Sequence, residues 1–575
     1  MNRRTALSLI AGAAYAAPRS RVLPESARVT IRAEEDWYMH SAGVAVSGNE
    51  IVCTYRRSDE HIASYVEVWC CRSKDGGRSW TDHKLITKLG WEPDRACWVA
   101  PQLNRLADGT LALIIDRGEK TAKYDWPMLS QWQKPPRGMS NWLMLSKDGG
   151  RTWDGPRKID DVGGEPGYIV ELSNGDLVYT RTDSAATTAK KYPSMPWGPN
   201  YYRSTAVFSS NRGRTWDRTV AITDDPLVGD CEVGLVEYAP GKVLAATRIG
   251  DAGSALAQPS RFVMSGDLGR TWQKPVLAPF YGHRIYVRKL RDGRLFATFR
   301  NASGGTPATC ALAWNADEKL PYQPQSFLWT EAVCSLRNGA MELKTGEGRE
   351  QAAQFLLYPM EDDDSSLELE FELRVPEAAA NACNVCAGAW IRFLPNRIEL
   401  ADRPSDGVNL DASKWRRYRI VNQQGRLRLW CDGEQRLDVA VNGVFTREVR
   451  FGNRSGRRST AVAGTANNDQ NTRRPLRGIT YEANAGISQW RSFRASIRNR
   501  RDHSVEWNWT AKQGFPDQFR RDRIVVLEPN ASFVAGDSGY SSWDELPDGS
   551  VVAVDYTGGV EGRRHPLLRA YRFRP

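Results

Sequence analysis

The chain has 575 residues, of which 41% are hydrophobic, and its formal net charge is +11. This length allows two or three domains with sizeable cores, and the basic charge favours acidic ligands or a solvated basic surface. Nucleic acid is excluded as a predicted partner because the sequence has no helix-turn-helix pattern, zinc finger or concentrated basic arm. Six histidines without metal-ligand spacing predict neither a metal site nor a cofactor, and ten scattered cysteines do not form a small disulfide framework.

The N-terminus has the features of an export signal. Arg3 and Arg4 precede an apolar stretch that ends in the small-residue pattern Ala14-Tyr15-Ala16. The paired arginines are loosely similar to a twin-arginine signal. No other stretch approaches the roughly 18 consecutive apolar residues of a membrane span. We therefore expect residues 1–17 to be a signal peptide and the mature protein to be exported, periplasmic or extracellular, without a membrane span.

A short motif with the pattern S-x-[D/N]-x-G-x-[S/T]-W recurs along the first half of the chain. Its Asp or Asn can accept bonds from nearby backbone N–H groups, its Gly permits a positive φ, and its Trp can pack back over the turn. The motif is the Asp-box, which is structural and also occurs in propellers that catalyse nothing, so it predicts the fold and no activity. The copies are Ser73–Trp80, Ser146–Trp153, Ser209–Trp216 and Ser265–Trp272.

Six hairpin turns, each flanked by apolar strand-like segments, form a second repeat. Five of them follow one another at intervals of roughly 50–70 residues, the size of a propeller blade with long loops. We therefore predict an all-β, six-bladed β-propeller, with blades one to five in residues 25–316 and blade six completed by residues 506–575. The turns are Ser47-Gly48-Asn49, Ala107-Asp108-Gly109, Ser173-Asn174-Gly175, Pro240-Gly241, Arg291-Asp292-Gly293 and Pro547-Asp548-Gly549.

The gap between the fifth and sixth hairpins indicates an inserted domain at residues 317–505. Its segments alternate apolar and polar residues with a period of two, as in Leu367–Val375 and Arg426–Glu434. This pattern is typical of antiparallel strands with one wet face. The insert is therefore predicted to be a β-sandwich, similar to the concanavalin or laminin-G type. Both a sugar-binding role and a role as a spacer or brace are open.

The hairpin repeat also predicts which side chains meet at one end of the propeller. Each hairpin runs from that end to its turn and back, so residues about nine before the turn Gly and about seven after it should return to the same end. The result is a carboxylate, several arginines and tyrosines near the propeller axis. The residues are Glu232 and Arg248 in blade four, Arg284 and Arg300 in blade five, Tyr540 and Tyr556 in blade six, Met39 or His40 with Arg56 in blade one, Ala100 and Asp116 in blade two, and Pro166 and Arg181 in blade three.

Two of these segments resemble the sialidase superfamily. Cys231–Arg248 is similar to the sialidase blade that carries the catalytic Glu and a carboxylate-binding Arg, and Gly539–Gly549 looks like the strand with the nucleophilic Tyr. The resemblance implies Tyr540 as nucleophile and Glu232 as its base. It further implies substrate-binding roles for Arg248 and Arg284, and an acid/base role for Asp59 in the loop after the first hairpin, with Glu60 as the alternative.

The implied chemistry is coherent, but the sequence departs from the family at one place. A phenol avoids the repulsion that a carboxylate nucleophile meets at the anomeric carbon of a 2-keto sugar acid, and arginine binds a carboxylate through a planar fork. Sialidases open with a Tyr- or Phe-Arg-Ile-Pro motif, whereas the stretch Trp37–Ala42 contains no Arg. Either Arg56, Arg57 or Arg300 substitutes, or the substrate is not sialic acid; His40 is a further substrate-binding candidate.

These observations favour an exo-acting, retaining glycoside hydrolase that releases a terminal acidic sugar, such as sialic acid or another ulosonic acid, from a carbohydrate partner. A polysaccharide lyase acting on uronates, with Tyr540 or His40 as base, is a second hypothesis. A non-catalytic glycan-binding propeller is the third, because a fold does not imply a function.

Overall fold

The structure is a computed structural model, and the predicted signal peptide at residues 1–17 lies outside the residues it describes. The chain divides into a propeller unit, Ser20–Gln325 with Arg457–Thr480 and Asp522–Pro575, and a sandwich unit, Ser326–Gly456 with Tyr481–Arg521. The described residues are 21–124, 138–186, 200–225, 229–249, 259–301, 308–326, 330–347, 351–361, 364–454, 456–461, 477–482, 484–499, 504–529, 538–558, 563 and 565–575.

The propeller unit consists of six sheets of four or five strands, one per blade, which confirms the six-bladed propeller. Each predicted hairpin turn joins the first two strands of its blade. In blade two, Ala96–Trp98 and Gln102–Arg105 both pair with Leu111–Glu119 and together count as the first strand. Blade one has Tyr38–Ser47, Glu50–Ser58, Tyr65–Ser73 and Thr81–Gly90; blade two Ala96–Trp98, Gln102–Arg105, Leu111–Glu119, Met139–Ser146 and Asp154–Asp160; blade three Val170–Glu171, Leu177–Ala186, Asn200–Ser209 and Arg218–Thr223. Blade four has Asp230–Ala239, Lys242–Ile249, Arg261–Ser265 and Val276–Leu277; blade five Gly282–Lys289, Leu295–Asn301, Ala308–Trp314, Val525–Glu528 and Arg21–Val22; blade six Ser538–Glu545, Val551–Thr557, Leu567–Phe573 and Arg28–Arg32.

The two ends of the chain close the ring together. The early strand Arg28–Arg32 pairs antiparallel with Leu567–Phe573 and forms the outer edge of blade six. The outer strand of blade five, Val525–Glu528, comes from beyond the insert and pairs with Ala308–Trp314. Because blade six contains strands from both ends, its first strand is held in a fixed position in the ring.

The Asp-boxes lie at the turns after the third strands of blades one to four, where each forms a self-contained network. In the first box the Asp75 carboxylate accepts hydrogen bonds from the Ser79 N–H at 2.9 Å and the Ser79 hydroxyl at 2.6 Å. The Gly77 N–H donates to the Ser73 hydroxyl at 2.8 Å. These bonds lower the pKa of Asp75 to about 2, so the boxes use their carboxylates to stabilise turns.

The core of the propeller unit lies between neighbouring blades. One cluster combines Val52 and Val68 of blade one with Leu113 and Ile115 of blade two, and Trp153 from the second Asp-box packs against it. Strands of the blades are buried almost continuously, as in Tyr38–Ser47 and Val551–Thr557, so each sheet has two apolar faces toward its neighbours, the arrangement a propeller requires.

The sandwich unit contains two large antiparallel sheets with an aromatic core, which confirms an inserted β-sandwich. Phe371 and Phe493 of one sheet stack at 5.3 Å, and Phe451 of the other sheet stacks on Phe493 at 4.2 Å. One sheet has Gln354–Leu356, Val449–Gly452, Asn384–Ala387, Trp390–Leu394, Arg397–Leu400 and Arg403–Asn409, with Gln325–Ser326 at its edge. The other has Cys334–Arg337, Ala340–Thr345, Gly486–Arg498, Ser366–Ala378, Arg416–Gln423, Arg426–Cys431, Glu434–Ala440 and Val505–Thr510.

The remaining elements are short. A two-stranded hairpin is formed by Gly456–Ala461 and Arg477–Glu482, and the helices are Glu25–Ala27, Thr330–Val333, Ala511–Gln513 and Gln518–Arg523. None of the helices in the described ranges has the length and apolar character that a membrane crossing requires. All ten cysteines are buried free thiols.

Candidate active site

A repeated bulge in the first strand of the blades creates a ring of equivalent positions. In blades one, four, five and six the pairing of the first two strands shifts register at the same place. There, and at Glu165 in blade three, a residue other than glycine adopts a positive φ of 46–49°. Side chains rarely adopt this conformation, and such residues cluster at functional sites. The ring positions are Ser41, Glu165, Glu232, Arg284 and Tyr540.

The residues facing this ring on the second strand are also equivalent. In blades one, four, five and six each is paired with the residue just before the bulge. In blade three Thr182 is bridged to Gly164, which precedes Glu165, and in blade two the Asp116 carbonyl oxygen accepts from the Val99 N–H. The facing residues are Arg56, Asp116, Thr182, Arg248, Arg300 and Tyr556. The counting from the turn therefore located both members correctly in blades four, five and six.

In blades one and three the counting was wrong. The ring residue of blade one is Ser41, not Met39 or His40. The distance from bulge to turn Gly is shorter in blade one than in blade four, because blade four has an additional bulge before its turn and its turn Gly is one residue later. Blade three supplies Glu165 with Thr182, not Pro166 with Arg181. Its first strand has one extra residue between the pairs Gly167–Thr180 and Val170–Val178.

A glycine two residues after the ring position is the sequence signal that this counting missed. Gly43, Gly167 and Gly234 occupy the same place in blades one, three and four. A Cβ on Gly234 would lie 2.2 Å from the carbonyl oxygen of Ile285 in the next blade. A search for the residue two positions before this glycine would have identified both Ser41 and Glu165.

This close approach predicts a structural effect beside the site. We expect Gly234→Ala to lower the free energy of unfolding by about 1–3 kcal/mol, since the added methyl forces backbone shifts in a packed region. Gly266→Ala is the matched control, because its Cβ would meet no atom within 4 Å and its φ is not positive. Chemical denaturation compares the two, and equal stabilities would contradict the proposed close contact.

Tyr540, Glu232 and Arg248 form a hydrogen-bonded chain at the ring. The Tyr540 hydroxyl donates to Oε1 of Glu232 in a short hydrogen bond, although the two residues are 308 positions apart. Arg248 Nη1 donates to Oε2 of the same carboxylate at 2.7 Å. The Glu232 side chain has no solvent exposure. The carboxylate is therefore fixed between a phenol and a guanidinium.

The charges around this chain determine its protonation. Burial alone would raise the pKa of Glu232, but the Arg248 and Arg284 charges and the two hydrogen bonds outweigh it and lower the pKa to about 2. Burial, with the negative charge of Glu232, raises the pKa of Tyr540 well above its ordinary value. The resting site therefore contains a neutral phenol beside an ionised carboxylate.

Arg284 crosses the ring from blade five to blade three. Its guanidinium donates to the carbonyl oxygens of Glu165 at 3.3 Å and Pro166 at 2.6 Å, and its Cζ lies 4.8 Å from the ring centroid of Tyr540. Among the residues that the structure describes, no carboxylate lies within salt-bridge distance of this guanidinium. Arg284 therefore brings a positive charge to the face of the tyrosine.

The two other predicted substrate-binding arginines differ in their surroundings. Arg300 donates to the Ser538 carbonyl oxygen at 3.1 Å and contacts Nδ1 of His283 at 2.9 Å. Arg56 is buried and donates to the carbonyl oxygens of Val99 at 3.1 Å and His61 at 2.7 Å. Arg56 thus connects blade one to blade two through backbone groups, and its role as a substrate ligand stays a prediction.

His40 and Ser41 lie at the blade-one position of the ring. The Ser41 hydroxyl and Nδ1 of His40 form a short hydrogen bond, and the imidazole lies 4.9 Å from the Tyr540 ring and 4.3 Å from the Tyr556 ring. Burial, followed by the charges of His61 and the arginines, lowers the pKa of His40 well below its ordinary value. His40 and Ser41 are therefore uncharged groups at this position.

Asp59 is held within its own loop. Its carboxylate accepts hydrogen bonds from the Ser64 N–H at 2.8 Å, the Tyr65 N–H at 3.2 Å and the Ser64 hydroxyl. The structure does not bring this carboxylate into contact with Tyr540 or Glu232. Its predicted role as acid/base stays untested, as does that of Glu60.

Glu165 is the carboxyl group that the sequence analysis missed. Its backbone N–H donates to Oδ2 of Asp116 at 2.9 Å, and the other oxygen of Asp116 accepts from the Ala100 N–H at 2.8 Å. Burial, with the negative charge of Glu232, raises the pKa of Glu165 to about 8. Glu165 and Glu232 thus form a pair of one neutral carboxyl group and one ionised carboxylate.

The described residues contain no group of three or more His, Cys, Asp or Glu side chains arranged to hold a metal ion. The ring instead combines a nucleophile candidate with an adjacent base, guanidinium groups and a second carboxyl. Such a set can transfer protons and bind an anion.

Residues 49–332 match the BNR repeat-like domain family, and no curated protein matches the chain. A solved structure of unknown function from Dyadobacter fermentans is 18% identical, with 57% of this chain and 93% of that chain covered and a TM-score of 0.41. A Hadza microbial sialidase is 15% identical, with 56% and 63% covered and a TM-score of 0.36. A mutant Trypanosoma rangeli sialidase that displays trans-sialidase activity is 11% identical, with 82% and 96% covered and a TM-score of 0.36.

The matched range contains all four Asp-boxes and the hairpins of blades two to five. In the structure each box closes the turn after the third strand of its blade, in four of the six blades that form the ring. Residues 49–332 are therefore similar to the BNR repeat-like domain family, and the chain folds as a six-bladed propeller with Asp-boxes in blades one to four.

Proposed function

We propose that the protein is an exo-acting, retaining glycoside hydrolase that releases a terminal acidic sugar, with Tyr540 as nucleophile and Glu232 as its base. The observation that carries the proposal is the hydrogen bond from the Tyr540 hydroxyl to the Glu232 carboxylate, beside guanidinium groups. A nucleophile bonded to a base that a third group orients is the arrangement expected for covalent catalysis.

The proposed substrate is a sugar with a carboxylate on or near the reacting carbon. A phenol suits this substrate because it approaches without a negative charge, and its proton moves to Glu232 as the bond to carbon forms. Arg248 and Arg284 stand on either side of the Tyr540–Glu232 pair and favour an anionic group there. The uncharged His40 and Ser41 favour an uncharged part of the sugar, so a sialic acid and other ulosonic acids are both candidates.

The proposal is tested with a panel of 4-nitrophenyl glycosides of sialic, other ulosonic and uronic acids. We expect release of nitrophenol from at least one 2-keto sugar acid and retention of configuration in the first-formed sugar, observed by NMR. Unsaturated sugar products would instead favour the lyase hypothesis, and binding without turnover would favour a glycan-binding propeller.

The carboxylate-binding role of Arg248 predicts a specific kinetic effect. We expect Arg248→Lys to raise KM for the acidic substrate roughly tenfold or more, because an ammonium cannot replace a bidentate fork. The exposed Arg214→Lys is the control for loss of a guanidinium elsewhere on the propeller. Steady-state kinetics of both variants check the prediction, and an unchanged KM for Arg248→Lys argues against a carboxylate clamp at this residue.

We also propose that the protein is exported through the signal at residues 1–17. The paired arginines and the cleavage pattern at Ala14-Tyr15-Ala16 support this proposal. Mass spectrometry of the N-terminus of the mature protein tests it, and an intact Met1 in the exported fraction would contradict it.

A further inference from the structure

We propose that Glu165 is the catalytic proton donor to the leaving group of the glycoside. This inference rests on the proposed hydrolase function and adds to it a residue from blade three. It replaces neither Tyr540 nor Glu232 and assigns the acid role to a carboxyl group within the ring itself.

The position of Glu165 in the ring supports this role. The six blades follow one another around the ring in chain order, so blade three stands opposite blade six. Glu165 and Tyr540 occupy the equivalent bulge of these two blades, with φ values of 48° and 47°. The two residues therefore lie on opposite sides of the propeller axis. A retaining glycosidase requires a nucleophile and a proton donor on opposite sides of the sugar.

The backbone of Glu165 is fixed in the same frame as the nucleophile. Asp116 accepts from its N–H at 2.9 Å, and Arg284 donates to its carbonyl oxygen at 3.3 Å. The same guanidinium lies 4.8 Å from the centroid of the Tyr540 ring. Arg284 thus contacts both residues, through the backbone of Glu165 and the aromatic face of Tyr540.

The charges that face Glu165 keep it protonated at neutral pH. Burial and the carboxylates of Glu232 and Asp116 raise its pKa, and these effects outweigh the opposing charges of Arg248 and Arg284. Glu232, in contrast, is ionised because Arg248 contacts it directly. Two carboxyl groups with opposite pKa shifts are typical of a pair that divides acid and base roles.

Asp59, the donor that the resemblance implies, is less suited to this step. Both of its carboxylate oxygens accept hydrogen bonds from its own loop, at Ser64 and Tyr65. A donor must instead carry a proton and direct it at the glycosidic oxygen.

The proposed reaction is balanced in both steps. In the first, the Tyr540 oxygen forms a bond to the anomeric carbon and passes its proton to Glu232, while the bond to the leaving oxygen breaks and that oxygen takes the proton of Glu165. In the second, the Glu165 carboxylate takes a proton from water, whose oxygen bonds to the anomeric carbon. The bond to Tyr540 breaks, and the phenolate recovers its proton from Glu232.

The test compares Glu165→Gln with Asp59→Asn on two glycosides of one acidic sugar, one with a 4-nitrophenyl and one with an alkyl leaving group. We expect Glu165→Gln to lower kcat/KM on the alkyl glycoside by about 10²–10⁴-fold. On the nitrophenyl glycoside, which needs little protonation, we expect a loss below about tenfold. Wild-type activity should fall as the pH rises past about 8, because Glu165 then loses its proton. This fall should be absent from Glu165→Gln.

The outcomes separate this inference from the proposed function. If the wild type is active and Asp59→Asn alone shows the leaving-group dependence, the Glu165 role is wrong and the hydrolase proposal stands. Carbon-13 NMR of labelled glutamate carboxyls needs no substrate: we expect one resonance that titrates above pH 6 in the wild type and is lost in Glu165→Gln. Absence of that resonance overturns the inference even if no glycoside in the panel is cleaved.

Discussion

Tyr540→Phe should abolish turnover while the protein stays folded. Removing one oxygen leaves the aromatic contacts of this residue with His40 and Arg284 in place, but it removes the atom that bonds to the sugar. We expect kcat to fall on the order of 10⁴-fold or more, as when a nucleophile is deleted from a catalytic unit. Steady-state kinetics on the best glycoside of the panel measures the effect.

Tyr238→Phe is the control for this variant. Tyr238 lies on the first strand of blade four near the hairpin turn, at the other end of the strand from Glu232. We expect Tyr238→Phe to retain wild-type kcat.

A fluorinated substrate analogue that slows hydrolysis of the bond between the sugar and Tyr540 gives a second measurement. In the wild type it should add its mass to the peptide that contains Tyr540. A Tyr540→Phe variant within tenfold of wild-type activity would exclude this residue as nucleophile.

The fold was predictable because its signals are local. Each Asp-box is a complete turn within eight residues, and each hairpin turn is read from a glycine between apolar segments. The strand pairing that closes the ring was not predicted, because Arg28–Arg32 and Leu567–Phe573 are more than 500 residues apart in sequence. Neither segment contains a turn motif that specifies its partner.

The site was predictable only where the hairpins share one geometry. Counting back nine residues from the turn Gly located Glu232, Arg284 and Tyr540, because the distance from bulge to turn is the same in these blades. It missed Ser41 and Glu165, since the distance from bulge to turn is shorter in blade one and longer in blade three, and a one-residue slip moves a side chain to the other face.

Properties that depend on three-dimensional surroundings could not be predicted. Arg56 occupies the same ring position as Arg248, yet backbone carbonyl groups surround the first and a carboxylate contacts the second. Glu165 and Glu232 are the same residue type at equivalent positions, and their pKa values shift in opposite directions. The difference arises from the direct contact with Arg248, which only the assembled ring provides.

Glu232→Gln should impair both catalysis and stability. Its carboxylate is the partner of Arg248, whose side chain is mostly buried. Breaking a buried ion pair by removing one member costs about 3–5 kcal/mol, because the other charge stays buried. The loss of the base should also lower kcat by about 10²–10⁴-fold. Denaturation at pH 7 and steady-state kinetics measure the two effects.

The pH dependence of stability gives this prediction a definite sign. Because folding lowers the pKa of Glu232 from about 4.5 to about 2, its contribution is fully present above the unfolded value and is lost as pH falls toward the folded value. The difference in unfolding free energy between wild type and Glu232→Gln should therefore be largest at pH 7 and should decrease steadily below pH 4.5. A difference independent of pH would contradict an ionised Glu232.

The double variant Glu232→Gln/Arg248→Met separates stability from catalysis. Removing both charges avoids the uncompensated guanidinium, so we expect it to recover most of the stability that Glu232→Gln loses. It should not recover turnover, because neither a base for Tyr540 nor a carboxylate-binding Arg248 is restored. If the double variant regains activity along with stability, Glu232 supports the fold of the ring and does not act on the proton of Tyr540.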